Sequence, residues 1–441
     1  MASGTEENKQ VSTCIEQSPS LPLPTCEGHA STENNDPIPT NGVSRFDLTY
    51  HLSVIKLAPS TGIFRRLSVI DKLLTPAIFV AMVVGIVIGE FVPSVQEAFD
   101  TVQFKSVSLP IAIGLIVMMY PVLTKVKYES LLQLRQSGRS GNSSSWFHHI
   151  VISLALNWIV APFVMLGLAW ATLPDLPTFR TGVILVGLAR CIAMVLVWND
   201  LAGGDREYCA LLVVVNSLLQ IVLYGPYAVL FINIIGGAKA QENIHVSYGD
   251  VAISVLIYLG IPLSLGFLTR IVLLSTPRST TFLHKTYIPL VSPLTTIGLL
   301  YTIVVMFAYQ GHHILHTLGP VFRVFVPLIL YFCIMWTIGF GMIWWIWKRW
   351  GKGKRAWGYE MASVQAFTAA SNNFELAIAV AIAVYGVGSD QALAATIGPL
   401  VEVPVLLSIT WVSVWLQKRL FHVEHEEGEK IDANGSSNSM P

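Results

Sequence analysis

Charged residues are scarce in this sequence. They make up 12% of its 441 residues, about half the share found in an ordinary soluble domain, whereas hydrophobic residues make up 53%. Lys and Arg together number 27, and Asp and Glu together also number 27, so neither sign is in excess. Because no basic field exists to hold a phosphate backbone, nucleic-acid binding is not expected. The composition instead indicates a membrane protein.

Cysteines are also few and widely spaced. The sequence has five, and none forms a C-x-x-C pair: Cys14, Cys26, Cys191, Cys209 and Cys333. A disulfide scaffold and a structural zinc site are therefore excluded. His312 and His316 form an i, i+4 pair beside His313, but no acidic third ligand is near, so we predict no metal ion or cofactor there.

Polar residues dominate both ends of the chain. Residues 1–66 are rich in Ser, Thr, Pro, Asn and Glu and contain no apolar run long enough for a signal-peptide core. We predict a disordered cytoplasmic tail there and a second cytoplasmic tail over residues 422–441. Residues 67–421 between them are predicted to form one membrane domain.

Long apolar runs recur throughout this domain, each able to cross about 30 Å of hydrocarbon. Backbone amides in lipid must be hydrogen-bonded within the segment, so runs of this length predict helices rather than barrel strands. The sequence therefore predicts an all-α polytopic bundle of ten spans. They are Thr75–Val92, Val107–Leu123, Ile150–Leu173, Thr181–Leu201, Tyr208–Ile235, Val251–Leu274, Ile288–Tyr309, Val324–Trp347, Met361–Val387 and Ala392–Leu416.

Basic residues are unevenly divided between alternate connections. With the N-terminus taken as cytoplasmic, the inner connections hold most of the Lys and Arg residues, with a cluster over residues 348–355. The outer connections hold only Lys105, Arg180, Lys239 and Arg323. The positive-inside rule then places both termini in the cytoplasm. The glycosylation sequons at Asn142 and Asn434 fall on that side and are predicted to stay unmodified.

A weak internal repeat relates the two halves of the domain, about residues 67–236 and 248–421. When Asp205 is aligned with Asp390, the fourth and fifth spans match the ninth and tenth. The same alignment pairs Arg190 with Glu375, Gly203 with Gly388 and Ala210 with Ala395. Because five spans separate the halves, their orientations would be opposite, as in the inverted repeats of secondary transporters. Chance similarity among apolar helices is the alternative.

Such transporters bind substrate near the membrane midplane, where two repeat-related helices are broken. The ninth span carries a polar patch over residues 368–375, in which Asn372 and Glu375 have the spacing of a capping box that opens a new helix. In the fourth span, Gly187 is the only local helix breaker, so the break there is inferred from the repeat. A continuous ninth helix with an inward polar face is the alternative.

Polar groups inside the spans are costly, about 2.5–3.5 kcal/mol for a central Arg or Asp, and therefore mark function. They are Arg190, Glu375, Glu402, Asn216 and Gln220. A structural Arg190–Glu375 ion pair is one interpretation. The other is a carboxylate that loads and releases a proton, because burial and a nearby Arg act on it in opposite directions. A half-helix beginning at Cys191, next to Arg190, would favour a reactive thiolate suited to a thiophilic substrate.

Three segments carry a resemblance to a known family. Residues 187–205 (GLARCIAMVLVWNDLAGGD) and 371–381 (SNNFELAIAVA) resemble the fourth and ninth spans of the arsenite efflux permeases, within the bile acid/arsenite/riboflavin transporter superfamily. Residues 114–121 (GLIVMMYP) resemble their second span, and the similarity extends from about Leu67 to Phe421.

This resemblance implies ten helices in an inverted repeat with crossing broken helices 4 and 9. Helices 1, 2, 6 and 7 would form a panel against a core of helices 3–5 and 8–10. It also implies proton-coupled export of trivalent arsenic, sometimes antimony, with Cys191 as an arsenite ligand and Glu375 as the proton carrier. Arg190, Asn199, Asn372 and Asn373 follow the family pattern as further substrate-binding residues. Glu402, Asn216 and Gln220 are weaker candidates.

The chemistry of arsenite suits this set of residues. Near neutral pH arsenite is an uncharged trihydroxide, so its site needs hydrogen-bonding groups and one sulfur rather than a matching charge. Three thiolates would hold arsenic too tightly for release. The expected function is therefore arsenite export from the cytoplasm by proton antiport, across a plasma or vacuolar membrane, with no enzymatic step. A sodium-coupled organic-anion symporter is the alternative within the superfamily, and a membrane enzyme using Cys191 or the His312 cluster is the alternative outside it.

Overall fold

The computed structural model describes residues 69–92, 103–104, 107–126, 128, 143–192, 194–236, 245–275, 279–316, 318–351 and 357–421. Both predicted tails and the two sequon asparagines, Asn142 and Asn434, lie outside these ranges. The side chains of the His312 cluster are not described either. The described residues are almost entirely helical. The exception is one small hairpin, in which β1 (Gln103–Phe104) pairs antiparallel with β2 (Val107–Ser108).

Fifteen α-helices are described in this part of the chain. They are α1 (Val69–Phe91), α2 (Leu109–Lys125), α3 (Ser143–Ala155), α4 (Ala161–Thr172), α5 (Pro177–Leu188), α6 (Met194–Ala202), α7 (Arg206–Ala228), α8 (Tyr248–Val255), α9 (Ile261–Leu274), α10 (Ser279–Phe282), α11 (Ile288–His316), α12 (Leu318–Ile346), α13 (Tyr359–Ala370), α14 (Phe374–Tyr385) and α15 (Asp390–Leu416). Single π-helical turns join or extend several of them: Leu156–Val160, Val229–Ile235, Leu256–Gly260, Leu283–Tyr287, Trp347–Gly351 and Gln417–Phe421.

Six helical segments are long and apolar enough to cross a membrane. They are Phe147–Thr172, Arg206–Ile235, Tyr248–Leu274, Lys285–Gly311, Leu318–Trp350 and Asp390–Phe421. Shorter apolar helices lie over Pro76–Phe91, Ala112–Lys125, Pro177–Leu188 and Phe374–Tyr385. Each of the ten spans predicted from the sequence overlaps one of these ten segments. The predicted polytopic helical protein is therefore confirmed, while the number of crossings stays a prediction.

Large apolar side chains lie on the outer surface of the helices rather than only in the core. Phe79, Val222 and Leu290 are 56%, 65% and 73% exposed. A soluble monomer rarely leaves contiguous apolar surface in water, so this surface fits hydrocarbon as its solvent.

Two groups of helices pack closely. In the first, α1 and α2 both lie against α11, and α2 also contacts α9. The α1–α11 contact is close because Gly89 of α1 packs directly against the backbone of α11, where a Cβ would collide with the carbonyl oxygen of Ala308. Small residues allow such backbone approach between apolar helices. The second group packs α12 on α13, α4 on α5 and α15 on α5, α12 and α14.

Two of the predicted spans are interrupted. The fourth is divided into α5 and α6 and the ninth into α13 and α14. After each pair the chain turns at a glycine with positive φ, 78° at Gly203 and 90° at Gly386, a conformation that other residues rarely adopt. An acceptor side chain then caps the next helix: Asp205 caps α7 and Ser389 caps α15.

The register of these matching features differs from that of the sequence repeat. The first half-helices end at Leu188 and Ala370, and the second begin at Met194 and Phe374. Both pairs lie closer together in the sequence than Asp205 and Asp390, so the alignment of the halves is wrong by a few positions at the breaks. The sequence alignment paired Arg190 with Glu375. By its distance from the end of the first half-helix, Arg190 instead corresponds to Asn372.

Two basic residues assigned to the outer connections from the sequence contact the same loop. Arg323 forms a two-pronged ion pair with Asp175, with both N–O distances 2.6 Å. Arg180 stacks over the ring of Trp170, 3.6 Å from its centroid, and donates to the carbonyl of Pro174 at 2.9 Å. The loop between α4 and α5 is thus held from both sides.

Candidate functional site

The break in the fourth span begins where α5 ends at Leu188. Ala189 has extended backbone angles (φ −83°, ψ 116°), so the helix cannot continue through it. Cys191 then takes a local role, because its Sγ accepts a hydrogen bond from the backbone N–H of Val195 at 3.3 Å. The thiol therefore satisfies one of the free donors in the first turn of α6. This contact holds the sulfur just before the second half-helix, which begins at Met194 rather than at Cys191 as the sequence suggested.

The break in the ninth span lies at the predicted polar patch. Ser371 is extended (φ −81°, ψ 144°), and α14 begins at Phe374. The side chain of Asn373 accepts from the N–H of Leu376 at 3.1 Å and so caps the new helix. The break is confirmed, but the predicted capping residue, Asn372, is wrong by one position.

The two breaks lie against each other. Arg190 and Asn372 form an isolated antiparallel bridge, and the N–H of Asn373 donates to the carbonyl of Ala189 at 3.1 Å. Each unwound segment thus supplies a hydrogen-bond partner for the other, which a helix interior would otherwise provide. This pairing makes the two broken helices cross at their unwound residues.

A buried side chain on α7 completes the first unwound segment. The carboxamide of Gln220 accepts from the N–H of Arg190 at 3.0 Å and donates to its carbonyl at 2.8 Å. The side chain therefore pairs with both backbone groups of one residue, as a neighbouring strand would. Gln220 was predicted as a weaker candidate for the substrate site, and the structure places it beside the break, bonded to the backbone of Arg190.

The guanidinium of Arg190 is fully buried, and its hydrogen-bond partners lie at the end of α5 and on α12 rather than at Glu375. It donates to the carbonyl of Gly187, in the last turn of α5, and to the hydroxyl of Tyr331 on α12 at 2.9 Å. Tyr331 is one of the residues that sequence reasoning missed. A tyrosine in an apolar span looks like any core aromatic, so no sequence signal could have identified it.

A small cavity lies at the crossing point. Its walls are formed by Cys191, Met194, Leu299, Asn372, Phe374, Glu375, Pro399, Glu402 and Val403. Four of the predicted site residues are brought together there, although they come from three different spans: Cys191, Asn372, Glu375 and Glu402. The cavity volume is about 20 Å³, which is room for about one water molecule.

The polar groups of this cavity differ in how well they are paired. Ser371, which the sequence analysis did not single out, donates its hydroxyl proton to a carboxylate oxygen of Glu402. The carboxamide of Asn372 is buried, and neither its oxygen nor its nitrogen has a hydrogen-bond partner. Buried polar atoms of this kind normally find a partner. The geometry therefore leaves one donor and one acceptor available to a small polar solute in the cavity.

The remaining candidate residues lie away from the cavity walls. Asn199, on α6, donates to the carbonyl of Asp205 at 3.2 Å, and Asn216 accepts from the indole N–H of Trp158 at 3.1 Å. Asn373 serves as a helix cap. No group of three or more His, Cys, Asp or Glu side chains that could hold a metal ion occurs in the described ranges. The roles predicted for these residues in substrate binding stay predictions.

The sequence is similar to known transport proteins over most of its length. The model of the Sodium Bile acid symporter family matches residues 112–317. The arsenical-resistance protein Acr3 of Corynebacterium glutamicum is 39% identical over 358 residues, which cover 81% of this chain and 92% of that protein.

Two further relatives extend this comparison. The Acr3 protein of Alkaliphilus metalliredigens is 28% identical over 355 residues, 78% of this chain and 92% of that protein. An uncharacterized transporter of Synechocystis is 31% identical over 366 residues, 78% of this chain and 88% of that protein. The identity and coverage of the first relative place the chain in the family that its motifs indicated. This protein belongs to the Acr3 family of arsenical-resistance membrane transporters, within the wider Sodium Bile acid symporter family.

Proposed function

We propose that this protein exports arsenite from the cytoplasm as a proton antiporter working by alternating access. The observation that carries the proposal is the cavity between the crossing helices, where Cys191 and Glu375 share a wall although they lie in opposite halves of the sequence. Family membership supports the substrate, because two of the relatives are arsenical-resistance proteins. In this proposal ten helices cross the membrane as an inverted repeat, and both termini are cytoplasmic.

Substrate binding would use one sulfur and one carboxamide. The Cys191 thiol displaces one hydroxyl of arsenite, so that an S–As bond forms and the thiol proton leaves with that hydroxyl as water. Hydrolysis reverses the step, and a single sulfur keeps the release fast. The unpartnered carboxamide of Asn372 would hydrogen-bond the remaining hydroxyls, which relieves the cost of leaving it buried without partners.

One of the two cavity carboxylates supplies the proton step. Glu375 lies in the first turn of α14 and is partly exposed, while Glu402 is buried and bonded to Ser371. We propose that Glu375 takes up a proton when arsenite leaves on the outer side and releases it to the cytoplasm. One elementary charge moving through about 100 mV provides about 2.3 kcal/mol, enough for roughly a fiftyfold gradient of a neutral solute.

The size of the cavity shows what the described conformation can hold. A volume of about 20 Å³ accommodates one water molecule, whereas arsenite has one arsenic and three oxygen atoms. Binding therefore requires the cavity to widen. We propose that the helices around α11 and those around α13 move relative to each other during each transport cycle, which is what alternating access demands.

Arsenite uptake into everted membrane vesicles tests this function. Replacing Cys191 with Ala, or Glu375 with Gln, should abolish uptake driven by a proton gradient. Matched controls are Cys333→Ala, an exposed cysteine, and Glu90→Gln, an exposed carboxylate outside the cavity; both should transport normally. Full uptake by either site variant at normal expression would remove that residue from the mechanism.

A sodium-coupled organic-anion symporter is the second candidate, favoured by the family model that matches residues 112–317. It predicts uptake that requires a sodium gradient and is inhibited by organic anions. A proton antiporter should show neither property. The same vesicles from cells without the protein give the background, and comparison of plasma and vacuolar membranes identifies the membrane in which export takes place.

A further inference from the structure

The C-terminal ends of the two first half-helices point into the protein. At the end of any helix the last carbonyls lack intrahelical partners and together carry about half a negative charge. Here α5 ends at Leu188 and α13 ends at Ala370, and both ends are fully buried. Water cannot solvate these carbonyls, so the protein or a bound ion must compensate their partial charge.

One cation reaches both helix ends. The guanidinium of Arg190 donates directly to the Gly187 carbonyl of α5. It also donates to the hydroxyl of Tyr331 at 2.9 Å, and this hydroxyl donates its own proton to the Ala369 carbonyl of α13 at 3.3 Å. The direction of the two bonds is consistent, because a tyrosine hydroxyl accepts one hydrogen bond and donates another. Tyr331 thus relays the positive charge to the second helix end.

Arg190 cannot easily leave this position. Its backbone N–H and carbonyl are both bonded to the side chain of Gln220, and its residue pairs with Asn372 across the crossing. Its side chain is not among the walls of the cavity that holds Cys191 and Glu375. The cation therefore faces the helix ends and not the substrate.

In transporters with broken helices, such C-terminal ends and unwound carbonyls commonly coordinate a mobile Na⁺ or a proton. A mobile ion at this place becomes a coupling ion, because it binds and leaves in each cycle. A covalently attached guanidinium compensates the same charge but never leaves. The difference decides which ion gradient can drive transport.

We propose that Arg190, with Tyr331 as its relay, is a resident cation that occupies the place of an alkali-metal ion between the two helix ends and makes transport independent of sodium. This inference rests on the proposed transport function and adds the reason for its ion specificity. It gives Arg190 a positioning role at the crossing point rather than a contact with arsenite.

Two transport measurements test the proposal. The wild-type protein should take up arsenite equally well when choline replaces sodium on both sides of the vesicle membrane. Arg190→Ala should lose about tenfold or more of the uptake rate, because two buried helix ends lose their cation, and millimolar guanidinium should restore part of it. Uptake by Arg190→Ala that stays normal without any added cation, or wild-type uptake that stops in choline, would overturn the proposal.

Arg180→Ala is the matched control. Arg180 is also a buried arginine and lies on α5 itself, but its guanidinium lies over Trp170 and bonds to the α4–α5 loop. Its variant should not respond to guanidinium. Tyr331→Phe keeps the cation and removes only the relay, so its uptake should fall less than that of Arg190→Ala and should not be restored by guanidinium.

A second readout does not depend on arsenite. In detergent solution, guanidinium at low millimolar concentration should raise the melting temperature of Arg190→Ala but not that of the wild-type protein or of Arg180→Ala. If the wild-type protein fails to transport arsenite while this selective stabilisation is seen, the proposed substrate is wrong and the resident cation stands. If Arg190→Ala cannot be purified, the sodium independence of the wild-type protein and the behaviour of Tyr331→Phe decide the matter.

Discussion

Replacing Gln220 with methionine should destabilise the crossing point without changing its volume much. In the wild-type protein the Gln220 carboxamide is fully buried and satisfies both the N–H and the carbonyl of Arg190, at 3.0 and 2.8 Å. Methionine can do neither. Each buried backbone group left without a partner costs about 1–3 kcal/mol, so the variant should lose about 2–6 kcal/mol of stability.

A neighbouring substitution provides the control for this prediction. Asn216 lies one turn before Gln220 on the same helix and is also buried, but it makes a single bond, to the indole of Trp158, and its own Nδ2 has no partner. Asn216→Leu removes one hydrogen bond, which destabilises the protein, and also removes a buried donor without a partner, which stabilises it. Its stability should change by about 1 kcal/mol or less.

Thermal unfolding in detergent, followed by intrinsic fluorescence, measures both variants under the same conditions. Gln220→Met should melt several degrees below the wild-type protein, and Asn216→Leu should melt near it. Equal melting temperatures for Gln220→Met and Asn216→Leu would refute the reasoning that the side chain replaces missing backbone partners.

Two other substitutions test single contacts. In Gly398→Ala, the new Cβ would collide with the ring of Phe374, which begins α14 and forms part of the cavity wall, so arsenite uptake should fall sharply. Gly167→Ala is the control, because a Cβ there meets nothing within 4 Å, and this variant should transport normally. Arg323 lowers the pKa of Asp175 to about 2 from its usual 3.8. The ion pair therefore stabilises the folded protein at any pH above the pKa that Asp175 has in the unfolded chain, and this stabilisation is lost as the pH falls toward 2. Asp175→Asn should therefore be less stable than the wild-type protein at neutral pH, and melting curves that differ equally at pH 7 and near pH 2 would contradict this assignment.

The second break could be predicted from local sequence because its polar residues are adjacent. Residues 368–375 interrupt an otherwise apolar span, and α13 and α14 separate within them. The position of the cap could not be predicted, since either of two neighbouring asparagines has a suitable side chain. The bridge with Arg190 involves Asn372, and Asn373 is left to cap α14. That choice depends on a contact with another span, which the local pattern does not contain.

The first break carries almost no local signal. Gly187 alone interrupts the apolar run, and its helix continues through it to Leu188. What allows the chain to unwind is the carboxamide of Gln220, on the following long helix, which pairs with the exposed backbone. The sequence identified Gln220 as an expensive polar group in a span but could not say what it touches. Likewise, Tyr331 and Ser371 gain their importance only from their partners.

A buried hydrogen bond also ties the two helix groups together at one end of the protein. Gln310, near the end of α11, is buried, and its Nε2 donates to the carbonyl of Val387 and, at 3.4 Å, to that of Ser389. These carbonyls belong to the turn between α14 and α15, so the contact ties the helix group of α11 to that of α15. If both termini are cytoplasmic, as the sequence predicts, this turn is on the outer side. In the proposed transport cycle, the cavity would then open outward only after the Gln310 contact breaks, whereas loading from the cytoplasm would leave that contact intact. Between arsenite binding and outward release, Gln310 would have to break its hydrogen bonds to two turn carbonyls. Breaking these bonds is a discrete step of the kind that alternating access requires.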